Sequence, residues 1–386
     1  MTNPQPDTGS NLGLYIHWPF CARICPYCDF NVYRNRNVDE ARWTKALIAD
    51  LRYWAKQIEP RPLTSIYFGG GTPSLAPPRL IGSLIDEADR LFGFSPNPEI
   101  TLEANPHEAT FNRLDALAKA GINRVSLGVQ SFNDEALGFL GRDHDGASAR
   151  EAITLSMDIF ERITFDLIYA RPEQSLEEWH SELEQALAFN PSHLSLYQLT
   201  IEPGTAFAKA IDAGRWAPAD EEICAAQFDL AQEMTSDSGR IAYEVSNHAK
   251  PSHESRHNLL YWRGQDYIGI GPGAHGRVAI DGKRIATQTS LRPENYLSAS
   301  EDKGTGCEST EVLSAEDILT ERLSMGLRLS EGIALYADDY FYSNETRVEK
   351  LHQLTSDGLL VHHCGTLRAT PDGRRVLNRL IYELLS

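Results

Sequence analysis

The sequence has no run of eighteen apolar residues, so no helix of it is expected to span a membrane. It has no surplus of positive charge either. Its 36 lysines and arginines face 54 aspartates and glutamates, a net charge of −18 at pH 7. A surface of that sign repels phosphate backbones at long range and argues against nucleic acid as the main partner. Residues 1–11 lack a basic stretch followed by an apolar one, so no secretory leader is expected there. Cysteine is scarce, six in 386 residues, three of them crowded together and three scattered. A disulfide framework is excluded by that pattern, and a reducing, cytoplasmic setting is expected. There is no repeat of fixed period and no low-complexity tract. Apolar residues at 41% and charged residues at 23% belong to an ordinary globular protein, not to a disordered, collagen-like or coiled-coil chain. At about 150 residues per domain the length allows two or three domains, or one large α/β barrel.

Through the first two thirds, short apolar runs alternate with longer amphipathic stretches. Strands are expected at Leu14–His17, Ser65–Phe68, Glu99–Glu103, Arg124–Leu127, Thr164–Tyr169 and His193–Leu196. Helices are expected between them, the first around Trp43, Leu47, Leu51 and Trp54, which recur at helical spacing. No hairpin signal separates these strands, so they predict a parallel sheet with crossover helices. Six strands are too few for a closed eight-stranded barrel; a partial open barrel and a doubly wound sheet both fit. In either, ligands sit beyond the carboxyl ends of the strands. After residue 205 the pattern changes. Asp281-Gly282 between apolar residues predicts a hairpin turn. The last seventy or so residues predict a small α+β unit of winged-helix type. Its helices are expected at Glu311–Leu327 and Arg347–Gln353, its ribbon at Leu359–Val361 and Leu367–Ala369, and its closing helix at Pro371–Leu385. The organisation expected is a tail over 1–12, the barrel over 13–205, an extension over 206–310 and the C-terminal unit over 311–386.

The strongest chemical signal is Cys21-Ala-Arg-Ile-Cys25-Pro-Tyr-Cys28, directly after the first strand. Three thiolates at this spacing can converge on one soft metal centre. A four-iron cluster held by three cysteines leaves one iron open for a ligand. The alternative is zinc with His17 as fourth ligand, though no second cysteine pair accompanies the trio. Gly69-Gly70-Gly71-Thr72-Pro73 follows the second strand and lets a ligand approach the backbone closely; it lacks the Gly-Lys-Ser/Thr ending of a phosphate-binding loop. Glu103, Gln130 and Asp166 lie at or near the ends of later strands, with Arg142 twelve residues beyond Gln130. A charged residue inside an apolar strand, as Asp166 is, needs a ligand or a structural partner such as Arg124, Arg142 or Arg171.

The Cx3Cx2C motif with Tyr27 before its last cysteine resembles that of the radical S-adenosylmethionine superfamily. That resemblance implies a partial (β/α)6 barrel, a [4Fe-4S] cluster on Cys21, Cys25 and Cys28, and S-adenosylmethionine on the open iron. Leu14-Tyr-Ile-His-Trp-Pro-Phe-Cys21, the glycine run, Gly128-Val-Gln130-Ser-Phe132, Asp166-Leu-Ile-Tyr169 and Tyr197-Gln-Leu-Thr-Ile-Glu-Pro203 narrow the likeness. They are similar to the coproporphyrinogen dehydrogenase-like branch, which holds oxygen-independent coproporphyrinogen III oxidases and heme chaperones. By motif, Tyr15, Gly70 and Glu103 would contact S-adenosylmethionine. Tyr27, Gly71, Thr72, Gln130, Arg142 and Asp166 match the surroundings of a second such molecule in the oxidases. The oxidases carry a further cysteine where this chain has Phe30, and a long N-terminal extension for which there is no room before Cys21. Arg256-His257-Asn258-Leu-Leu-Tyr261-Trp262 resembles the HNxxYW stretch of the chaperones, and implies heme near His257, with Tyr261 and Trp262 packed on the macrocycle. His275 and His362-His363-Cys364 are weaker candidates. The loop Ala170-Arg171-Pro172 departs from the Gly-Leu expected before the proline. The resemblance implies heme transfer to acceptor proteins and an electron donor. Porphyrin decarboxylation is the alternative, and a nucleic-acid role for Arg374, Arg375 and Arg379 of the C-terminal unit is disfavoured by charge.

Overall fold

The computed structural model describes residues 11–34 and 38–386. The tail expected over 1–12 lies outside the described residues except for Asn11 and Leu12. Six parallel strands follow one another across the sheet in chain order: β1 (Leu12–Trp18), β2 (Leu63–Gly70), β3 (Phe94–Ala104), β4 (Arg124–Gln130), β5 (Arg162–Tyr169) and β6 (His193–Gln198). Each is longer than its apolar run predicts: β1 gains Leu12, Gly13 and Trp18, β2 and β3 grow at both ends, and β4, β5 and β6 grow at one end only. β1 and β6 do not pair with each other, so the barrel is open.

The period of two explains how the barrel holds a site. On the outward face Leu14, Ile16, Ile66, Phe68, Leu102, Val125, Leu127, Phe165 and Leu194 are buried in the main core. Helices cover that core; Glu40–Gln57, for example, is capped by Asp39 and turns Trp43, Leu47, Leu51 and Trp54 inward. Residues that pair across neighbouring strands share a face, and the inward set is polar. Tyr15 pairs with Tyr67, Thr101 with Arg124, Glu103 with Ser126, and Asp166 with Ser195. A parallel sheet covered on both faces would read as near-continuous apolar runs; this one alternates because its inner face lines a polar cavity.

The floor of the barrel is closed from outside the six-strand unit. The helix Arg256–Trp262, capped by Ser255, seats its first turn on Glu99. The Glu99 carboxylate accepts from the His257 N–H (3.3 Å) and Ser255 Oγ (3.4 Å), and pairs with Arg162 at 3.0 Å and Arg124 at 3.9 Å. Beyond β1 the sheet continues with Asp266–Ile270, which is parallel to β1, and then His275–Ile280, Lys283–Thr289 and Cys307–Val312, antiparallel in turn. Beyond β6 it continues with Asn247–Ala249 and Ile241–Ala242, making twelve strands in all. The hairpin turn at Asp281-Gly282 has φ of 49° and 73°, the left-handed pair that favours this dipeptide.

Two expectations for the C-terminal unit need correcting. Its first helix is Ala315–Gly326, because Cys307–Val312 is drawn into the sheet by Lys283–Thr289. The closing helix is two pieces, Pro371–Arg375 and Leu377–Leu385, broken where Val376 (φ −118°) bonds back to the Gly373 carbonyl in a tight turn. The unit has its own core, built on Leu319, Leu323, Phe341, Leu351, Leu380 and Leu384, and a three-stranded sheet.

Candidate functional site

Three thiols and a glycine loop meet at the carboxyl ends of β1 and β2. Gly71 N–H donates to the Trp18 carbonyl (2.7 Å) and Thr72 N–H to the Phe20 carbonyl (2.9 Å), which fastens the two loops together. A methyl group on Gly71 would lie 2.7 Å from the Phe20 oxygen and 3.0 Å from Cys21 Sγ, so only glycine lets the loops close. Gly70 has φ of 108°, a left-handed position.

A chain of contacts then joins Cys21 to Cys25. Thr72 hydrogen-bonds Cys21 and receives Asn105 Nδ2 (3.1 Å). Asn105 Oδ1 receives Arg142 Nη2 (2.5 Å), which also reaches the Gly128 carbonyl (2.9 Å), while Arg142 Nη1 sits 3.3 Å from Cys25 Sγ. Burial pushes the Cys21 thiol up to about 11 and raises Cys28 as well, and Arg142 opposes both shifts. The thiols must therefore give up protons on binding metal, and Arg142 is the cation that favours the thiolates. The three cysteines are free of disulfides and line one cavity of about 380 Å³. That donor set fits a thiolate-held centre. Among the described residues no three His, Cys, Asp or Glu side chains form a ready site for a single ion. His17 does not serve as the fourth zinc ligand, since its ring nitrogens are taken by Tyr15 Oη and the Asn31 carbonyl, both at 2.9 Å.

The same cavity holds two buried acids. Glu103 accepts from Tyr67 O–H (2.8 Å) and Gly70 N–H (3.2 Å), yet burial pushes its carboxyl up to about 7. Burial pushes Asp166 up to about 6, against hydrogen bonds from Ser195 and Ser126. Arg124 and Arg142 only influence Asp166 from a distance, and Arg171 pairs instead with Glu182 (2.8 Å). Gln130 holds φ of 70°, a strained position for a residue with a side chain, and its buried Oε1 has no hydrogen-bond partner in the structure. An orphaned acceptor and two acids near their titration range fit a ligand bearing an ammonium group and several donors.

Of the residues singled out from sequence, Cys21, Cys25, Cys28, Tyr27, Gly70, Gly71, Thr72, Glu103, Gln130, Arg142 and Asp166 all line this cavity. Tyr15 stands apart, in a second cavity that shares Asp29, Phe30, Gly70 and Glu103 with the first. His257 lines neither. It is 0% exposed, with Nδ1 at 2.8 Å from Ser65 Oγ and Nε2 at 2.7 Å from Tyr261 Oη. The expectation that it offers a nitrogen to heme iron meets a ring whose lone pair and proton are both engaged. Asn105 was missed, although it lies in the Glu103-Ala-Asn-Pro run. The inward residue His193 was missed too, and Arg124 and Tyr197, named from sequence only as a possible partner of Asp166 and as part of a motif, also line this cavity. Period two at an apolar strand would have found them.

Ala170 sits at φ of 56°, which accounts for a glycine being usual there; its N–H is held by Gln227 Oε1 at 2.9 Å. In the C-terminal unit Arg375 is bound to Asp229 (2.8 Å), Arg379 pairs with Glu383, and Arg374 bonds Ser330 Oγ (3.0 Å).

The radical SAM superfamily model matches residues 15–186, and the HemN C-terminal domain model matches residues 313–376. The heme chaperone HemW of Escherichia coli strain K12 is 35% identical over 383 residues, covering 97% of this chain and 98% of that protein. The mitochondrial radical S-adenosyl methionine domain-containing protein 1 of Mus musculus is 34% identical over 394 residues, covering 99% and 89%. The solved coproporphyrinogen III oxidase HemN of Escherichia coli superimposes with a TM-score of 0.82 at 22% identity, covering 99% of this chain and 92% of that one, a likeness of fold. The barrel, its cysteine loop and these relatives define a radical S-adenosylmethionine protein. Within that superfamily the chain belongs to the family of HemW. No helix among the described residues is long and apolar enough to cross a membrane.

Proposed function

We propose that this chain is a cytoplasmic heme chaperone that binds a [4Fe-4S] cluster, S-adenosylmethionine and heme, and passes heme to acceptor proteins. The observation that carries the reading is the single cavity joining the three cysteines, the glycine loop and Glu103 in a chain whose relatives are named for heme. Cys21, Cys25 and Cys28 would hold the cluster, and Arg142 would stabilise the thiolates. Gly70 and Glu103 would take the amino group of S-adenosylmethionine, and the unpaired Gln130 Oε1 would accept from a donor of a ligand in the same cavity. When bound, the cluster and S-adenosylmethionine supply one-electron chemistry, for which an electron donor is needed. The chain's own part is to bind and orient: Tyr67 and Gly70 aim the Glu103 carboxylate, and the Thr72–Asn105–Arg142 chain fixes the cysteine loop against it. Phe30 stands where the oxidases carry a cysteine, which supports transfer of heme over decarboxylation.

The test is anaerobic. Reconstituted protein is titrated with heme by absorbance, then assayed on coproporphyrinogen III with reductant and S-adenosylmethionine. Saturable heme binding, release to an acceptor and no carbon dioxide are expected. Turnover to protoporphyrinogen IX would overturn the chaperone reading in favour of the oxidase.

A further inference from the structure

A cavity of about 720 Å³ lies between the barrel and the C-terminal unit, within the size range of small-molecule sites. One wall is apolar and only partly buried: Leu199, Ile201, Phe228 and Val245. The C-terminal unit brings Arg328, Arg374, Arg375 and Arg379 to the other. Four arginines around one cavity reverse the sign of a chain whose net charge is −18. Glu221 is the one acid among its lining residues. Gln198 and Leu199, at the end of β6, line this cavity and the cysteine cavity alike, so the two adjoin.

Ion pairing separates the four arginines. Arg375 is bound to Asp229 and Asp372, and Arg379 to Glu383. Among the described residues Arg328 and Arg374 form no ion pair. Arg328 bonds the Ser324 carbonyl (3.2 Å) and Asn378 Oδ1 (2.9 Å), and Arg374 Nη1 bonds Ser330 Oγ (3.0 Å). Arg374 Nη2 is buried and has no hydrogen-bond partner. Burial lowers the Arg374 pKa, and the charge of Glu244 opposes that without a contact. A cation held this way, with a donor unmet, is costly until an anion reaches it.

We propose that this cavity takes heme, with the two carboxylates of the macrocycle on Arg328 and Arg374 and its flat apolar face against Leu199, Ile201 and Phe228. The inference rests on the heme-chaperone reading and locates its cargo. A guanidinium fork can hold a carboxylate through two N–H bonds, which suits it to that edge. No histidine lines the cavity, and burial raises the pKa of the Cys224 thiol there, which keeps it protonated and a poor metal ligand. The grip is then on edge and face, and the iron is left for a ligand of the acceptor.

The experiment titrates iron(III) heme and its dimethyl ester, in the same mild detergent, by absorbance. The proteins are full-length wild type, Arg328→Gln/Arg374→Gln and Arg328→Lys/Arg374→Lys. Wild type is expected to bind heme about tenfold or more tightly than the ester. The glutamine variant should lose that preference and bind heme as weakly as the ester, and the lysine variant should keep a preference. Equal affinity of wild type for heme and ester overturns the inference and leaves the chaperone reading standing. So does a glutamine variant that binds heme as wild type does. Should the glutamine variant bind neither ligand, the lysine variant decides: a preference kept supports the inference, and a preference lost overturns it. A wild type that binds no heme ends both.

Discussion

The protonation of Glu103 has a consequence that can be measured without any cofactor. Burial holds its carboxyl at about 7 in the folded chain, against an ordinary value of 4.5. Between those limits the unfolded chain has released this proton and the folded chain keeps it. The folded state then binds more protons, so stability falls as pH rises through this window. At about 1.4 kcal/mol per pH unit the full loss is about 3 kcal/mol, complete above pH 7. Glu103→Gln cannot ionise and escapes the loss. Urea unfolding of the cluster-free wild type and Glu103→Gln, at pH 5 and pH 8, measures it. The stability of the variant relative to wild type should improve by about 2–3 kcal/mol between the two pH values. Titrations elsewhere largely cancel in that comparison. A difference between the two proteins that is the same at both pH values would refute the reasoning. A bound amino group that donates N–H bonds to the carboxylate reverses the preference: S-adenosylmethionine should bind wild type more tightly at pH 8 than at pH 6, and Glu103→Gln should weaken that dependence.

Other perturbations follow from the same geometry. Gly71→Ala forces a methyl group against the Phe20 carbonyl and Cys21; it should cost about 1–3 kcal/mol and lower the iron bound per chain after reconstitution, and undiminished iron would count against the loop contact. Arg142→Met strips a donor from Asn105 and the Gly128 carbonyl, a loss of about 1–3 kcal/mol in thermal unfolding. Glu99→Gln leaves Arg162 and Arg124 without their buried anion and should destabilise by about 3–5 kcal/mol in denaturant titration. Ala170→Gly relieves a left-handed alanine and should raise stability by about 1 kcal/mol, seen as a higher Tm.

Much of this was legible because local signals agreed with tertiary structure. The apolar runs of β1 to β6 and the helices between them show directly, and the motifs that follow β1 to β5 fall into one cavity because parallel strands bring their carboxyl ends together. What stayed hidden depends on distant partners. Glu311 and Val312 read as the start of a helix, yet Lys283–Thr289 pairs with them. The inward role of Arg124 is invisible until Glu99 and Arg162 lie beside it. His257 sits in a motif that points to heme, and only Ser65, 192 positions away, and Tyr261 show that its ring is already engaged.

Asn31 connects places that are far apart in the chain. Its Nδ2 reaches the carbonyls of Pro272 (3.0 Å) and Leu291 (2.8 Å), and its own carbonyl meets His17 Nε2 (2.9 Å). The loop that carries the three cysteines is thereby bolted to the turn that precedes His275. A displacement of that loop, such as a change in what its thiols hold, drags the turn with it. The cysteine loop and the neighbouring cavity thus share one anchoring side chain.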